Sequence, residues 1–374
     1  MKKNLLGAAA LLSALLLVVA AATMTSSGAL LQQSSPTSEI PLDDDGGSDD
    51  TSSTIISSPT SSAPMDEGGT TVSSPTAPQE SGSTTGTTAG SGGGGGPEAI
   101  AFDGTYVWVT RQFRNAVTRV RARDGSKGGT FPVGTTPSAI AFDRTNVWVA
   151  NLGSNNVMKL KTDGSIIGTY PVGNAPGGLA FDGANIWVTN RESNSVTKLR
   201  AKDGALLGTF NVGRRPVGVA ASGDGTSVWV ANNFGNTVTK LRASDGAVLG
   251  TYPVGKGAFG VAADSTSVWV TNFFANTVTK LRASDGVVLG TYTVGRDPAG
   301  IMFDGTSFWV ASSGNNTVVR LRPSDGGILA TFAVGKGPFG VTFDGASMWS
   351  ANFGSDSVST TAVVSASPTI SSTQ

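Results

Sequence analysis

From Pro97 onward the apolar residues fall in short runs broken by turn residues, and the runs repeat. Between Phe259 and Val294 there are four: "FGVAAD" (259–264), "SVWVTN" (267–272), "NTVTKLRA" (276–283) and "VVLGTYTV" (287–294). Each is rich in β-branched or aromatic residues and is separated from the next by Asp, Asn or Gly, which predicts four antiparallel strands, a to d. In strand b, Val268 and Val270 point to one face and Trp269 to the other. Both faces are therefore apolar, and the sheet needs a neighbour on each side.

The unit recurs. All seven tryptophans, Trp108, Trp148, Trp187, Trp229, Trp269, Trp309 and Trp349, occupy one frame, at spacings of 40, 39, 42, 40, 40 and 40 residues. A period of about 40–45 residues with several short strands per unit marks propeller blades, whose radial stacking covers both faces of every sheet. A β-solenoid is the rival, disfavoured because its coils usually hold fewer than four strands. The predicted fold is all-β, a seven-bladed β-propeller over residues 97–364 with the tryptophans packed between blades. Its seventh blade is expected to be incomplete, because "FGVTFDGASMWSANFGSDSVSTTAVVSAS" (339–367) lacks the "ASDG…LGTYPVG" hairpin of the other units. Either the C-terminal tail, 365–374, supplies a strand around Thr369–Ile370, or the blade keeps an open edge. The "GSGGGGG" before Pro97 offers no substitute.

Repeated aspartates invite a calcium reading, but no loop carries the alternating carboxylates of a calcium loop. Asp285–Gly286, with Asp124, Asp163, Asp203, Asp245 and Asp325, predicts c–d hairpin turns. Asp103, Asp143, Asp182, Asp224, Asp264, Asp304 and Asp344 mark the a–b turns. Asn272 and Asn276, with Asn190 and Asn194 and with Asn232 and Asn236, are expected to close the b–c loops through side-chain to backbone bonds.

The chain before the repeat differs in kind. "MKKNLLGAAALLSALLLVVAAAT" (1–23) reads as a signal peptide, cleaved before Thr23 or retained as a membrane anchor. Residues 24–96 are dominated by Ser, Thr, Gly and Pro, which predicts a disordered, acidic linker acting as a stalk. The expected location is secreted, periplasmic or cell-surface. Nine carboxylates but only Lys2 and Lys3 precede residue 97, so the zero net charge of the chain hides 24 bases against 17 acids from there on. There is no cysteine and hence no disulfide.

At "VWVTN" (268–272) and "IWVTN" (186–190), each followed by "NTVTKL" or "NSVTKL", the sequence resembles the YVTN-family β-propeller repeat proteins and the broader virginiamycin B lyase-like group. The resemblance covers roughly residues 97–362 and implies the same seven-bladed fold. For function it is weak, because the fold hosts lyases, lactonases and binding proteins alike. The lyases are understood to use a catalytic histidine. This chain has no histidine at all, so that activity is not carried over.

Without His or Cys, the commonest general base, nucleophile pairs and transition-metal sites are missing. No cofactor is expected, though a carboxylate site for calcium or magnesium stays open. It would lie at the channel mouth, where strands a begin with Glu98, Ser138, Gly177, Val217, Phe259, Ala299 and Phe339. Glu98, with Asp297 a loop away, is the weak metal candidate.

Connectivity sorts the remaining groups. The a–b and c–d turns, with their aspartates, emerge on one side of the disc. The b–c and d–a loops on the other collect Arg111, Arg114, Arg191, Arg214, Arg215, Lys256, Arg296 and Lys336, together with Phe113, Phe234, Phe273, Phe274 and Phe353, and Phe259 and Phe339. Blade one departs most from the repeat, with "TRQFRN" (110–115) where blade four reads "ANNFGN", which brings Arg111, Phe113 and Arg114 forward. The strand-c pair Lys280 and Arg282 is expected on a solvated outer wall.

The expected function is a non-catalytic binding module working through this basic, aromatic face. Its expected partners are an anionic polysaccharide, another cell-envelope polymer or a protein, with nucleic acid a further option and membrane contact only through the N-terminal segment. A monomer is expected. The alternatives are a divalent-metal-dependent lyase or lactonase-type hydrolase at the channel, and a passive envelope scaffold.

Overall fold

Each repeat tryptophan lies in the second strand of a four-stranded antiparallel sheet and is at most 1% exposed. The computed structural model describes residues 37–42 and 96–363, and these form seven such sheets. The predicted signal or anchor, most of the linker and the C-terminal tail lie outside the described residues. Among the described residues no helix is long and apolar enough to cross a membrane.

Blade five shows the plan: Ala258–Ala263, Ser267–Asn272, Thr277–Arg282 and Val288–Thr293 pair in sequence, with Trp269 opposite Ala262 on one side and Lys280 on the other. The two apolar faces of strand b go to different neighbours. Trp229 of blade four packs against Val268 and Val270 of blade five, and Trp269 packs in turn against Phe308 and Val310 of blade six. Full burial of side chains this size contributes about 1.5–3 kcal/mol each, so these interfaces hold the ring. Near the channel the first strands come closer than any side chain permits. A Cβ on Gly260 would stand 2.5 Å from the Ala299 carbonyl oxygen. Thr271 Oγ1 also donates to that oxygen, at 2.7 Å.

The strand-c lysines are not on a solvated wall. The Lys280 ammonium reaches the next blade, donating to the carbonyls of Pro323 at 2.6 Å and Ser324 at 3.0 Å while lying 5.4 Å from the Trp269 ring centroid. Lys159, Lys198 and Lys240 repeat the arrangement on the c–d turns of blades three, four and five. The long stem lies along the tryptophan, so the head arrives at the neighbour's turn instead of at water. Arg282, one pleat on, is exposed as expected and pairs with Asp285.

The a–b aspartates are turn and anchor groups. In blade six, Asp304 Oδ1 accepts the N–H groups of Thr306 and Ser307, and Oδ2 accepts the Trp309 indole N–H at 2.7 Å. Blades one, two, three and seven do the same. Blade four departs from the expected pattern. Its turn runs two residues longer, and Ser222, not Asp224, stands where the others have Asp, bonding to the Ser227 N–H. Among the described residues the Trp229 indole N–H has no hydrogen-bond partner.

The seventh blade is complete, which corrects the sequence expectation. Its fourth strand is Ser38–Pro41, paired antiparallel with Ser357–Ala362. The closing strand thus comes from within the supposed stalk, and the position left open for the tail is occupied. Leu42, fully buried, packs with Ile100, Val107, Trp349 and Val358, joining the last blade to the first. Glu39 accepts from Ser355 and Ser357. Because the chain leaves at Leu42 and returns at Gly96, residues 43–95 connect two points of the propeller.

Candidate functional site

The b–c and d–a loops of one face are tied to each other by a repeated device. The last residue of each b–c loop, Asn115, Asn155, Asn194, Asn236, Asn276 or Asn316, takes a left-handed backbone with φ of 51–60°. Asparagine tolerates that conformation. Its side-chain oxygen accepts an N–H of the following d–a loop at 2.8–2.9 Å. The expected side-chain to backbone bonds are made, but by the second asparagine to the following d–a loop and not within the b–c loop, while Asn190, Asn232 and Asn272 donate to Ser and Thr side chains of strand c. The face is therefore a fixed platform.

At the seam the device changes. The seventh blade has Asp356 in the asparagine position, and the first has Arg111 where blades two to five and seven begin the b–c loop with Asn and blade six with Ser312. Arg111 Nη2 donates to Asp356 Oδ2 at 2.6 Å and Nη1 to the Leu42 carbonyl at 2.7 Å. Arg111 is only 1% exposed. It is consequently not a surface ligand group, contrary to the sequence expectation. It fastens the closing strand.

Across the channel mouth the structure brings Glu98 and Arg191 together, from blades one and three, at 3.4 Å. Gly177 makes this reach possible, since a side chain there would collide with Arg191. Burial pushes the Glu98 carboxyl above its ordinary value, with Arg191 offsetting part of the rise. Glu98 Oε2 and Arg191 Nε have no hydrogen-bond partner among the described residues. Glu98 is thus engaged with a cation, and no group of three or more acidic, His or Cys side chains converges anywhere among the described residues. Asp297 sits in a d–a loop with its N–H held by Asn276.

Around the same face runs an unbroken chain of phenylalanines. Ring centroids run Phe274 to Phe273 at 5.4 Å, Phe273 to Phe259 at 5.7 Å, Phe259 to Phe339 at 5.3 Å, Phe339 to Phe353 at 6.2 Å and Phe353 to Phe113 at 5.6 Å. Blade six has the small Ala299 between Phe259 and Phe339, and those rings meet across it edge to face. Phe113 and Phe274 remain 61% and 47% exposed. The mouth is thus aromatic on the side of blades five, seven and one and polar where Glu98 and Arg191 meet.

Cations surround it. Arg114, Arg214, Lys256, Arg296 and Lys336 are exposed, while Arg215 is half-buried with its guanidinium 4.6 Å from the Phe234 centroid. Arg214 and Lys256 line an open depression of about 370 Å³ between blades four and five, with Asn233, Phe234, Asn236 and Phe274. Sequence reasoning found the rings and charges of this face but not the Glu98–Arg191 contact, which joins blades one and three across the channel.

No protein-family model matches the sequence, and no curated protein matches it. Solved structures do. A streptogramin B lyase is 21% identical with a TM-score of 0.62, over 73% of this chain and 95% of its own. A catalytically inactive virginiamycin B lyase from Staphylococcus aureus with quinupristin is 19% identical with a TM-score of 0.62, over 72% and 95%. Kuenenia stuttgartiensis hydrazine synthase is 19% identical with a TM-score of 0.65, over 72% and 96%. The chain is a seven-bladed β-propeller similar in fold to these proteins, and at these identities the likeness is one of fold alone.

Proposed function

We propose that this propeller is a non-catalytic binding module, exported by its N-terminal segment, whose ligand sits on the channel mouth of the b–c and d–a face. The observation that carries the reading is the six-ring phenylalanine arc inside a cationic rim. A ligand with an apolar or ring surface would lie on Phe259 and Phe339. Its anionic groups would meet Arg114, Arg214, Lys256, Arg296 and Lys336. Acidic polysaccharides of the cell envelope have this chemistry and are the first candidates. The absence of His and Cys and the lack of converging carboxylates among the described residues support binding without catalysis.

The test is a binding panel of acidic and neutral polysaccharides, envelope polymers and nucleic acid at low salt. Binding of an acidic polymer is expected, weakening as salt rises, because contacts between exposed charges are screened within about 10 Å at 0.1 M. The double change Phe259→Ala and Phe339→Ala should lower affinity at least tenfold with the near-ultraviolet circular dichroism of the tryptophans unchanged. No binding at low salt, or binding indifferent to that change, would overturn the proposal.

A further inference from the structure

The depression between blades four and five has features that no other blade junction has. The middle residue of the b–c loop is Phe113 in blade one, Gly153, Glu192, Phe234 and Phe274 in blades two to five, and Gly314 and Gly354 in blades six and seven. Only blades four and five are neighbours that both carry a ring there. The d–a loops before the same two blades supply Arg214 and Lys256. All four side chains line one depression, and no carboxylate is among its lining residues.

We infer that this depression is a subsite for a planar ring bearing an anionic group, such as an aryl phosphate, sulfate or carboxylate. The inference rests on the reading of this face as a binding surface and names one chemistry that a part of it takes. Phe234 and Phe274 are each 47% exposed, an unusual degree for two aromatic side chains sharing a cavity wall. The Phe234 ring is steadied from outside the cavity by Arg215, 4.6 Å away. Asn233 is buried, with its Nδ2 donating to the Ala258 carbonyl, and the Asn236 oxygen accepts from Gly257. Both amides are thereby fixed in the wall of the depression. Two aromatic faces offer stacking to a planar ring, and the two cations add attraction for the anionic group.

The opposite face provides the contrast. A larger depression there, about 550 Å³, is lined by Asp182, Lys198 and Arg242 and by no aromatic residue. Its cations are already engaged. Lys198 is bonded to the carbonyls of Ala243 and Ser244, and Arg242 is paired with Asp245. It offers neither stacking nor uncommitted charge.

The experiment is calorimetric titration of the full chain with naphthyl phosphate, with naphthol and with inorganic phosphate. Naphthyl phosphate is expected to bind at least tenfold more tightly than either of the others. Phe234→Ala and Phe274→Ala should each weaken it about tenfold, which is about 1.4 kcal/mol. Arg214→Gln with Lys256→Gln should bring its affinity down to that of naphthol. Phe259→Ala with Phe339→Ala should leave it within twofold, even where polysaccharide binding is lost. Equal affinities for the three probes would overturn the subsite. So would loss of naphthyl phosphate binding on changing Phe259 and Phe339 but not Phe234 and Phe274, while leaving the mouth as a binding site.

Discussion

Replacing Leu42 by alanine tests whether the closing strand holds the ring shut. Leu42 is fully buried among Ile100, Val107, Trp349 and Val358, and it directly follows the four-residue strand Ser38–Pro41. Truncating a buried leucine costs about 2–5 kcal/mol, the transfer of the side chain plus the cavity left behind. Against it stands the cost of closing the loop formed by residues 43–95. At (3/2)RT ln n for 53 residues this is about 3.5 kcal/mol. The two are comparable, so the variant should release the strand locally before the domain unfolds. Hydrogen exchange at the amides of Ser357–Ala362 that bond to the closing strand reads this directly. A loss of 2 kcal/mol corresponds to about thirtyfold faster exchange there. Trp349, in the same cluster, should report the opening by its emission. The control is Leu207→Ala on an exposed outer strand, expected within about 0.5 kcal/mol of the parent. If Leu42→Ala leaves exchange in Ser357–Ala362 as slow as Leu207→Ala does, the closing strand does not carry the seam.

Two further results are expected. Lys280→Met keeps the stem on Trp269 but leaves the Pro323 and Ser324 carbonyls without their donor. Urea unfolding should show a loss of about 1–3 kcal/mol, whereas Arg282→Met, at an exposed pair, should change little. Asp304 should contribute to acid sensitivity. Burial alone would raise its carboxyl, but the Trp309 indole and the Thr306 and Ser307 donors outweigh this and hold it below its ordinary 3.8. A carboxyl lowered on folding stabilises above its unfolded value and loses that contribution as pH falls through the folded one. Stability should therefore drop below about pH 4, and Asp304→Asn should flatten that drop while costing about 1.5–3 kcal/mol at neutral pH. Equal slopes for the two proteins in a pH series of urea melts would refute the assignment.

The blades were legible because each strand-b tryptophan faces the same environment, so the same residue serves seven times and its spacing counts the units. The closing strand was not, because four residues in a Ser-rich run need only backbone partners and one buried leucine, Leu42. Arg111 departs from the repeat, and that departure alone reads as a ligand group. A second departure gave the better signal. Asp356 also replaces a repeat asparagine, and these two opposite charges occupy loop positions at the two ends of the ring, where they can meet only if the ring closes. Lys280 was misplaced because strand position alone puts it at the rim, whereas the reach of its side chain carries it to the neighbouring turn. For the face as a whole, loop connectivity placed the rings and cations together. It could not give the Phe259–Phe339 contact, which depends on how small Ala299 is.

The lysine bridges also have a direction. Each of Lys159, Lys198, Lys240 and Lys280 reaches forward to the turn of the blade that follows, so blades three, four and five each supply the donor of one joint and the acceptors of the one before. A unit duplicated in tandem would arrive with both halves already matched. The inner blades are for that reason interchangeable parts, while blades seven and one, joined by Arg111, Asp356 and the closing strand instead, are not. Growth or loss of repeats in such a ring would be tolerated between the lysine joints and arrested at the seam.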